Sequence, residues 1–186
     1  METFHEQMMF GDSLSVFLPN DAKDVSEIRE IPDNQEVFTH SQTDQSVIFE
    51  ILEYVKEDSH QHAMRTHFED GCLSNEVGED SEIITIEAVP ADRIQMEHAE
   101  CVWYLKGCQR VAKFNEDAKN TVEIHMALFR LPQFDSDILV TFNNPLEISP
   151  LSSSHAAVPV SAQPWTLQHF QCIVDSLKII NTDIFG

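Results

Sequence analysis

The string IPDNQEVF, Ile31–Phe38, sets two carboxylates, Asp33 and Glu36, three residues apart around an amide pair. Carboxylates so placed can take Lys or Arg side chains of a partner in charge-assisted hydrogen bonds. The same string also reads as turn chemistry, because Pro32, Asp33 and Asn34 are standard turn formers. Glu36 is not required by a turn. Asp24, Glu27 and Asp44 lie close in sequence. If a short helix and the next helix bracket the turn, these carboxylates share one side of the fold. The residues themselves leave turn support and partner surface both open.

Other chemistry finds little footing. The chain has 5 glycines, with no G-x-G-x-x-G and no G-x-x-x-x-G-K, so it is not expected to cradle a nucleotide itself. G-x-S-x-G is missing as well, and no motif supports a small hydrolase. Of the 9 histidines, His60 and His62 are two apart, which on a helix sends them to different faces. His67, in HFED, reads as a hydrogen-bonded packing residue. The 4 cysteines, Cys72, Cys101, Cys108 and Cys172, follow no metal or disulfide spacing and read as reduced thiols. No catalytic residue, no metal site and no cofactor are therefore expected. Trp103 and Trp165 fall where core residues belong.

Composition is compatible with a partner of opposite charge and equally with an acidic surface that only keeps a small protein soluble. Against 11 Lys+Arg stand 32 Asp+Glu, for a net charge of −21, while 42% of the 186 residues are hydrophobic. That is enough apolar material for one domain with a core. The negative field repels nucleic acid and speeds encounter with basic surfaces. No apolar run is long enough to span a bilayer, and METFHEQMMFGD lacks the pattern of a secretory signal, so no direct membrane insertion is expected. Without a coiled-coil pattern or an unexplained apolar stripe, the chain is expected to be a monomer.

The elements that must position the acidic residues follow from periodicity. Residues 1–7 read as a loose tail. A strand over Met8–Leu18, with Gly11 allowing a bulge or turn, ends at Pro19. Asp24 and Glu27 have capping-box spacing for a short helix, which Pro32 stops. Glu36–His40 reads as a strand. TDQSVIFEILEYVKED reads as a helix with Thr43 as N-cap and Asp44 in its first turn. A second helix is expected over Ser59–Leu73, then an acidic loop. Strands follow over Ile83–Val89, over Cys101–Phe114 with a hairpin or bend at Gly107, and around Val122–Leu128 and Ile138–Phe142. Residues 145–164, rich in Pro, Ser and Ala, read as a mobile loop. A final helix has Thr166 as N-cap, with Trp165 and Phe170 spaced as a hydrophobic staple. This order favours an antiparallel sheet with helical cover over a doubly wound parallel one.

FGDSLSVFLPNDAKDVSEIREIPDNQEVFTH followed by TDQSVIFEILE resembles the Mog family of Ran guanine-nucleotide release factors, as do HFED, ALFRLPQFDSDILVTFNNP and the closing DIFG. The resemblance covers most of the chain, but not residues 71–100 and 145–164. It implies an α+β fold of the PsbP-like kind, a three-layer α/β/α sandwich around a mainly antiparallel sheet of about six strands, here formed by a single domain over 8–186. It also implies binding of the small GTPase Ran and release of its nucleotide in support of nuclear transport, by a regulatory protein rather than an enzyme, in nucleus and cytoplasm. Within the family motif the Ran-contacting acids correspond to Asp33 and Glu36. Position and charge extend the expected patch to Asp24, Glu27, Asp44 and Glu53. Replacing Asp33 and Glu36 together by Ala is expected to abolish binding with little loss of fold. An acidic adaptor that docks on basic segments of other proteins, membrane proteins included, without exchange activity is the alternative.

Overall fold

The computed structural model describes residues 3–74, 80–112, 119–147 and 161–186. Strand β1, Phe4–Met9, pairs antiparallel with β2, Leu14–Pro19. The expected tail over 1–7 thus contains a strand from Phe4 onward. Its polar Glu6 and Gln7 conceal it in the sequence, and the backbone ladder with β2 supplies its order. The turn between them runs through Phe10, Gly11 and Asp12 at φ of 50, 61 and 65°. Glycine suits that conformation, whereas Phe10 and Asp12 adopt it against their steric preference.

The chain then forms β3, Ala22–Asp24, a 3-10 turn over Val25–Glu27, β4, Gln35–His40, and β5, Ser46–Glu53. Helix α1 spans His60–Ser74. Three strands follow as β6, Ser81–Ala88, β7, Cys101–Ala112, and β8, Lys119–Leu131. The chain ends with β9, Ser136–Glu147, helix α2, Leu167–Ser176, and β10, Lys178–Ile179. Strands β3-β4-β5-β9-β8-β7-β6 form a seven-stranded sheet in which every pair is antiparallel, one strand more than expected. A second, three-stranded sheet has the order β1-β2-β10.

Two sequence expectations fail in the middle of the chain. The helix expected over Thr43–Asp58 is strand β5, inserted between β4 and β9. Val47 and Phe49 are buried against one face while Ile48 and Glu50 point the other way. With apolar residues on both faces, the strand reads as a nearly continuous apolar run, which also fits a helix. Two open ladders and the β-branched Val47, Ile48 and Ile51 decide for the strand. Thr43 accordingly caps no helix; its Oγ1 accepts from Gln45 N at 3.3 Å in the β4–β5 turn. Gly107, expected to break Cys101–Phe114, lies inside the unbroken β7. A Cβ there would stand 2.8 Å from Phe68 Cε2 and 2.9 Å from the Glu82 carbonyl oxygen, so the glycine lets α1 sit close on the sheet.

Residues 145–147 of the expected mobile loop belong to β9, where Pro145 stands opposite Val122; residues 148–160 lie outside the described residues, as do 113–114 and part of the acidic loop, 75–79. The final helix matches its expectation. The Thr166 side chain accepts from His169 N, and the Thr166 N–H donates to His169 Nδ1 at 2.8 Å, a reciprocal cap.

The core has two parts, one on each face of the large sheet. On one face the β1–β2 hairpin and α2 pack through Leu14, Leu18, Phe170 and Ile173 onto Phe38, Phe49, Val140 and Phe142. On the other face α1 packs through Met64 and Phe68 onto Leu105, Ile124, Met126 and Leu139. The large sheet is therefore the middle layer of three.

Candidate functional site

The turn before β4 presents Asp33 to solvent. It is held from behind by its neighbour. Ile51 N donates to the Asn34 carbonyl at 2.9 Å, and Asn34 Nδ2 donates to the Ile51 carbonyl at 3.2 Å. The 32–35 backbone closes on itself through Gln35 N and the Pro32 carbonyl at 2.9 Å. Asp33 is thus a projecting carboxylate on a pinned turn. Glu53, exposed at the end of β5, lies at the same end of the sheet.

Glu36 has a different situation. Along β4 it shares a face with Phe38, the face that receives the hairpin. Its Oε1 accepts from Phe10 N at 2.8 Å. That donor opens the run of three left-handed residues, so the carboxylate supports the strained turn of the β1–β2 hairpin. The expectation that both acids can be replaced with little loss of fold meets this bond, which Glu36 makes and Asp33 does not. Asp33 stands exposed in the turn, and Glu36 is half-buried on the strand face that carries Phe38.

The remaining acids separate further. Asp24 turns back on its own chain, its Oδ1 accepting from Ser26 N at 2.8 Å as the cap of the 3-10 turn. Glu27, in that turn, is exposed. Asp44 lies in the β4–β5 turn, at the opposite end of β4 from Asp33. The six residues of β4 span roughly 17–20 Å. Asp44 was grouped with the others on the expectation of a helix at 43–58, and the strand removes that reason. Its neighbour Gln45 is buried and clamps the segment leading into α2, donating to the Trp165 carbonyl at 2.8 Å and accepting from Trp165 N at 2.7 Å. Trp165 is a core residue, as expected, and Nε1 donates to Asp21 Oδ1 at 2.8 Å.

Three histidines, His40, His67 and His125, are absorbed by the architecture. His40 Nδ1 accepts from Gln42 N and Thr43 N at 2.9 and 3.1 Å. His67 Nε2 lies 2.9 Å from Asp137 Oδ2, and because a carboxylate only accepts, that nitrogen carries the hydrogen. His125 is buried between the Tyr104 hydroxyl and Glu123. Burial and the nearby Glu123 and Glu87 push the Tyr104 hydroxyl pKa up. Among the described residues His60, Glu100 and Cys101 bring ligand atoms within 4.8 Å of one another. Burial and the Glu100 charge push the Cys101 thiol up, which disfavours the thiolate a metal needs. All four cysteines are free.

Sequence reasoning passed over two features. Arg130, Asp137 and His67 form a buried cluster. Arg130 Nε stands 2.8 Å from Asp137 Oδ1, and Nη2 donates to the Val55 carbonyl at 2.6 Å. The guanidinium lies 4.0 Å over the Tyr54 ring. This cluster ties the β5 exit, α1, β8 and β9 together. The second feature is Glu50, half-buried on the α1 face, whose Oε1 accepts from Gln35 Nε2 at 2.7 Å. A strand reading of 43–58 would have shown Glu50 as a lone charge between Ile48 and Leu52.

No helix among the described residues is long and apolar enough to cross a membrane. Residues 7–145 match the family model described as Ran-interacting Mog1 protein. The chain is 52% identical over 180 residues to a Danio rerio protein named Ran guanine nucleotide release factor, covering 96% of this chain and 98% of that one. It is 38% identical to the Homo sapiens protein of the same name, covering 100% of this chain and 99% of that one. The crystal structure of the Saccharomyces cerevisiae Ran-binding protein Mog1p superposes with a TM-score of 0.74 at 24% identity over the full length of both chains, a likeness of fold.

Proposed function

This chain belongs to the Ran-interacting Mog1 family, and from that premise we propose that it binds the small GTPase Ran and promotes release of its guanine nucleotide. The observation that carries this reading is the 52% identity, over nearly the whole of both chains, to a relative named Ran guanine nucleotide release factor. Such a protein regulates by binding and needs no covalent chemistry. It must hold the GTPase more tightly when nucleotide is loosened than when it is bound. Linkage then makes the factor by which nucleotide weakens its binding equal to the factor by which it weakens the nucleotide. Carboxylates suit the task, since they pair with the basic groups that otherwise serve phosphate and repel phosphate itself.

In our reading Asp33 is the leading contact, because it is exposed on a turn that two hydrogen bonds to Ile51 hold rigid. Pre-organisation of this kind lowers the ordering cost of binding. Glu36 contributes by fixing the neighbouring hairpin turn and by its charge. Glu53, at the same end of the sheet, adds to the field, with Glu27 and Asp24 farther along the edge. Asp44 acts through long-range attraction. The protein works as a monomer over a single domain and serves transport between nucleus and cytoplasm, where it is present in both.

Release of labelled guanine nucleotide from Ran, followed by stopped flow, tests the proposal. Wild type should accelerate release. Asp33→Ala should lose about 2 kcal/mol or more of binding, roughly 30-fold in Kd, if Asp33 pairs with a desolvated basic group. Binding without acceleration would leave only an acidic adaptor. Unchanged affinity in Asp33→Ala would remove this turn from the interface.

A further inference from the structure

The sheet face that carries α1 is covered over only part of its width. Beside the helix lies a cleft of about 630 Å3, floored by β5, β8 and β9 and walled by α1. Its floor is mixed, with apolar Ile48, Leu52 and Met126 beside polar Thr141 and Asn143, and Glu50 stands among them. Among the described residues, the titratable groups facing it are Glu50 and Glu53 from β5 and His67 and Asp70 from α1, with no Lys or Arg in its lining. His67 is already committed to Asp137 at 2.9 Å. The cleft therefore combines apolar Ile48 and Leu52 with three carboxylates and, among the described residues, no lining Lys or Arg to balance them. It is also continuous with the Asp33 turn, since Gln35, which borders the cleft and bonds Glu50, is two residues from Asp33.

We infer that this cleft is a second contact with Ran, receiving one lysine or arginine side chain whose cationic head pairs with Glu50 and whose methylene stem lies along Ile48 and Leu52. The inference rests on the Ran-binding reading above. A basic side chain is the occupant that satisfies both halves of the cleft, because such side chains bury their stems and keep the charged end at a polar site. An anion would be repelled by all three carboxylates, and a neutral apolar group would leave Glu50 uncompensated.

Glu50 has a property that separates binding from structure. Burial, its largest influence, pushes its carboxyl pKa up, against the lowering effects of Gln35 and His67. The folded chain then holds that proton more tightly than the unfolded chain does. The ionised form consequently costs stability above the folded pKa, and the cost disappears as pH falls through it. A charge kept at a cost to the free protein is expected where a partner needs it.

The test uses the full chain and Ran, with Kd from calorimetry and release of labelled nucleotide measured beside thermal unfolding. Glu50→Gln keeps an acceptor for Gln35. It should weaken Ran binding about 30-fold or more, with a Tm at pH 7 equal to or above wild type. Ser74→Trp, an exposed substitution at the mouth of the cleft, should also weaken binding while leaving Glu50 in place. Wild-type affinity in both folded variants overturns the inference, and so does a fall in the Tm of Glu50→Gln that accounts for its loss of binding. Wild type that binds no Ran would instead defeat the functional reading itself.

Discussion

Two acids three residues apart do different work. Asp33 meets solvent, whereas Glu36 reaches the Phe10 amide at 2.8 Å. A charge-assisted bond to a backbone donor in a turn with three consecutive positive φ values should be worth more than a surface contact. Glu36→Ala should therefore destabilise the chain by about 1–3 kcal/mol, read as a shift in denaturant midpoint, while Asp33→Ala should leave the midpoint nearly unchanged. Glu36→Gln keeps an acceptor for Phe10 and removes the charge, so any loss of Ran binding it shows without loss of stability reports the charge alone. Neither difference was visible in the sequence. PDNQE gives the turn and its acids, but the direction of each side chain depends on which face of β4 the hairpin covers.

At the scale of elements, the position of α1 on the sheet decides whether a cleft exists beside it. Gly107 admits the Phe68 ring, and the Arg130–Asp137–His67 cluster fixes the helix near the β5 exit. Removing one partner of this cluster leaves a buried charge uncompensated. Asp137→Ala should cost about 3–5 kcal/mol, measured by chemical denaturation. Elements with one solvated face, such as the exposed edge of α2, announce themselves by periodicity, and the Thr166 cap marks where α2 begins. Strand β5 does not, because apolar residues on both faces erase the alternation. The misreading of this one element placed Asp44 in a helix beside Asp33, whereas β4 separates them. It also hid Glu50.

For the whole molecule, net charge −21 acts at distances that no single contact reaches. Association with a basic partner surface should slow markedly as ionic strength rises from 10 to 150 mM, where the screening length falls from about 30 to about 8 Å. Dissociation, governed by desolvated contacts such as those proposed for Asp33 and Glu50, should change much less. Equal salt dependence of both rates would show that the bulk field does not steer encounter. The sequence by itself determined the sign of that field, the family, the antiparallel class of the sheet and most strands and both helices, because these follow from composition, local periodicity and strings of specific residues. Tertiary structure alone decided that Glu36 braces a distant hairpin, that β5 is a strand and that Glu50 stands at the floor of a cleft. Those outcomes depend on pairings between segments far apart in the chain, and a local pattern carries no information about which partner will cover each face.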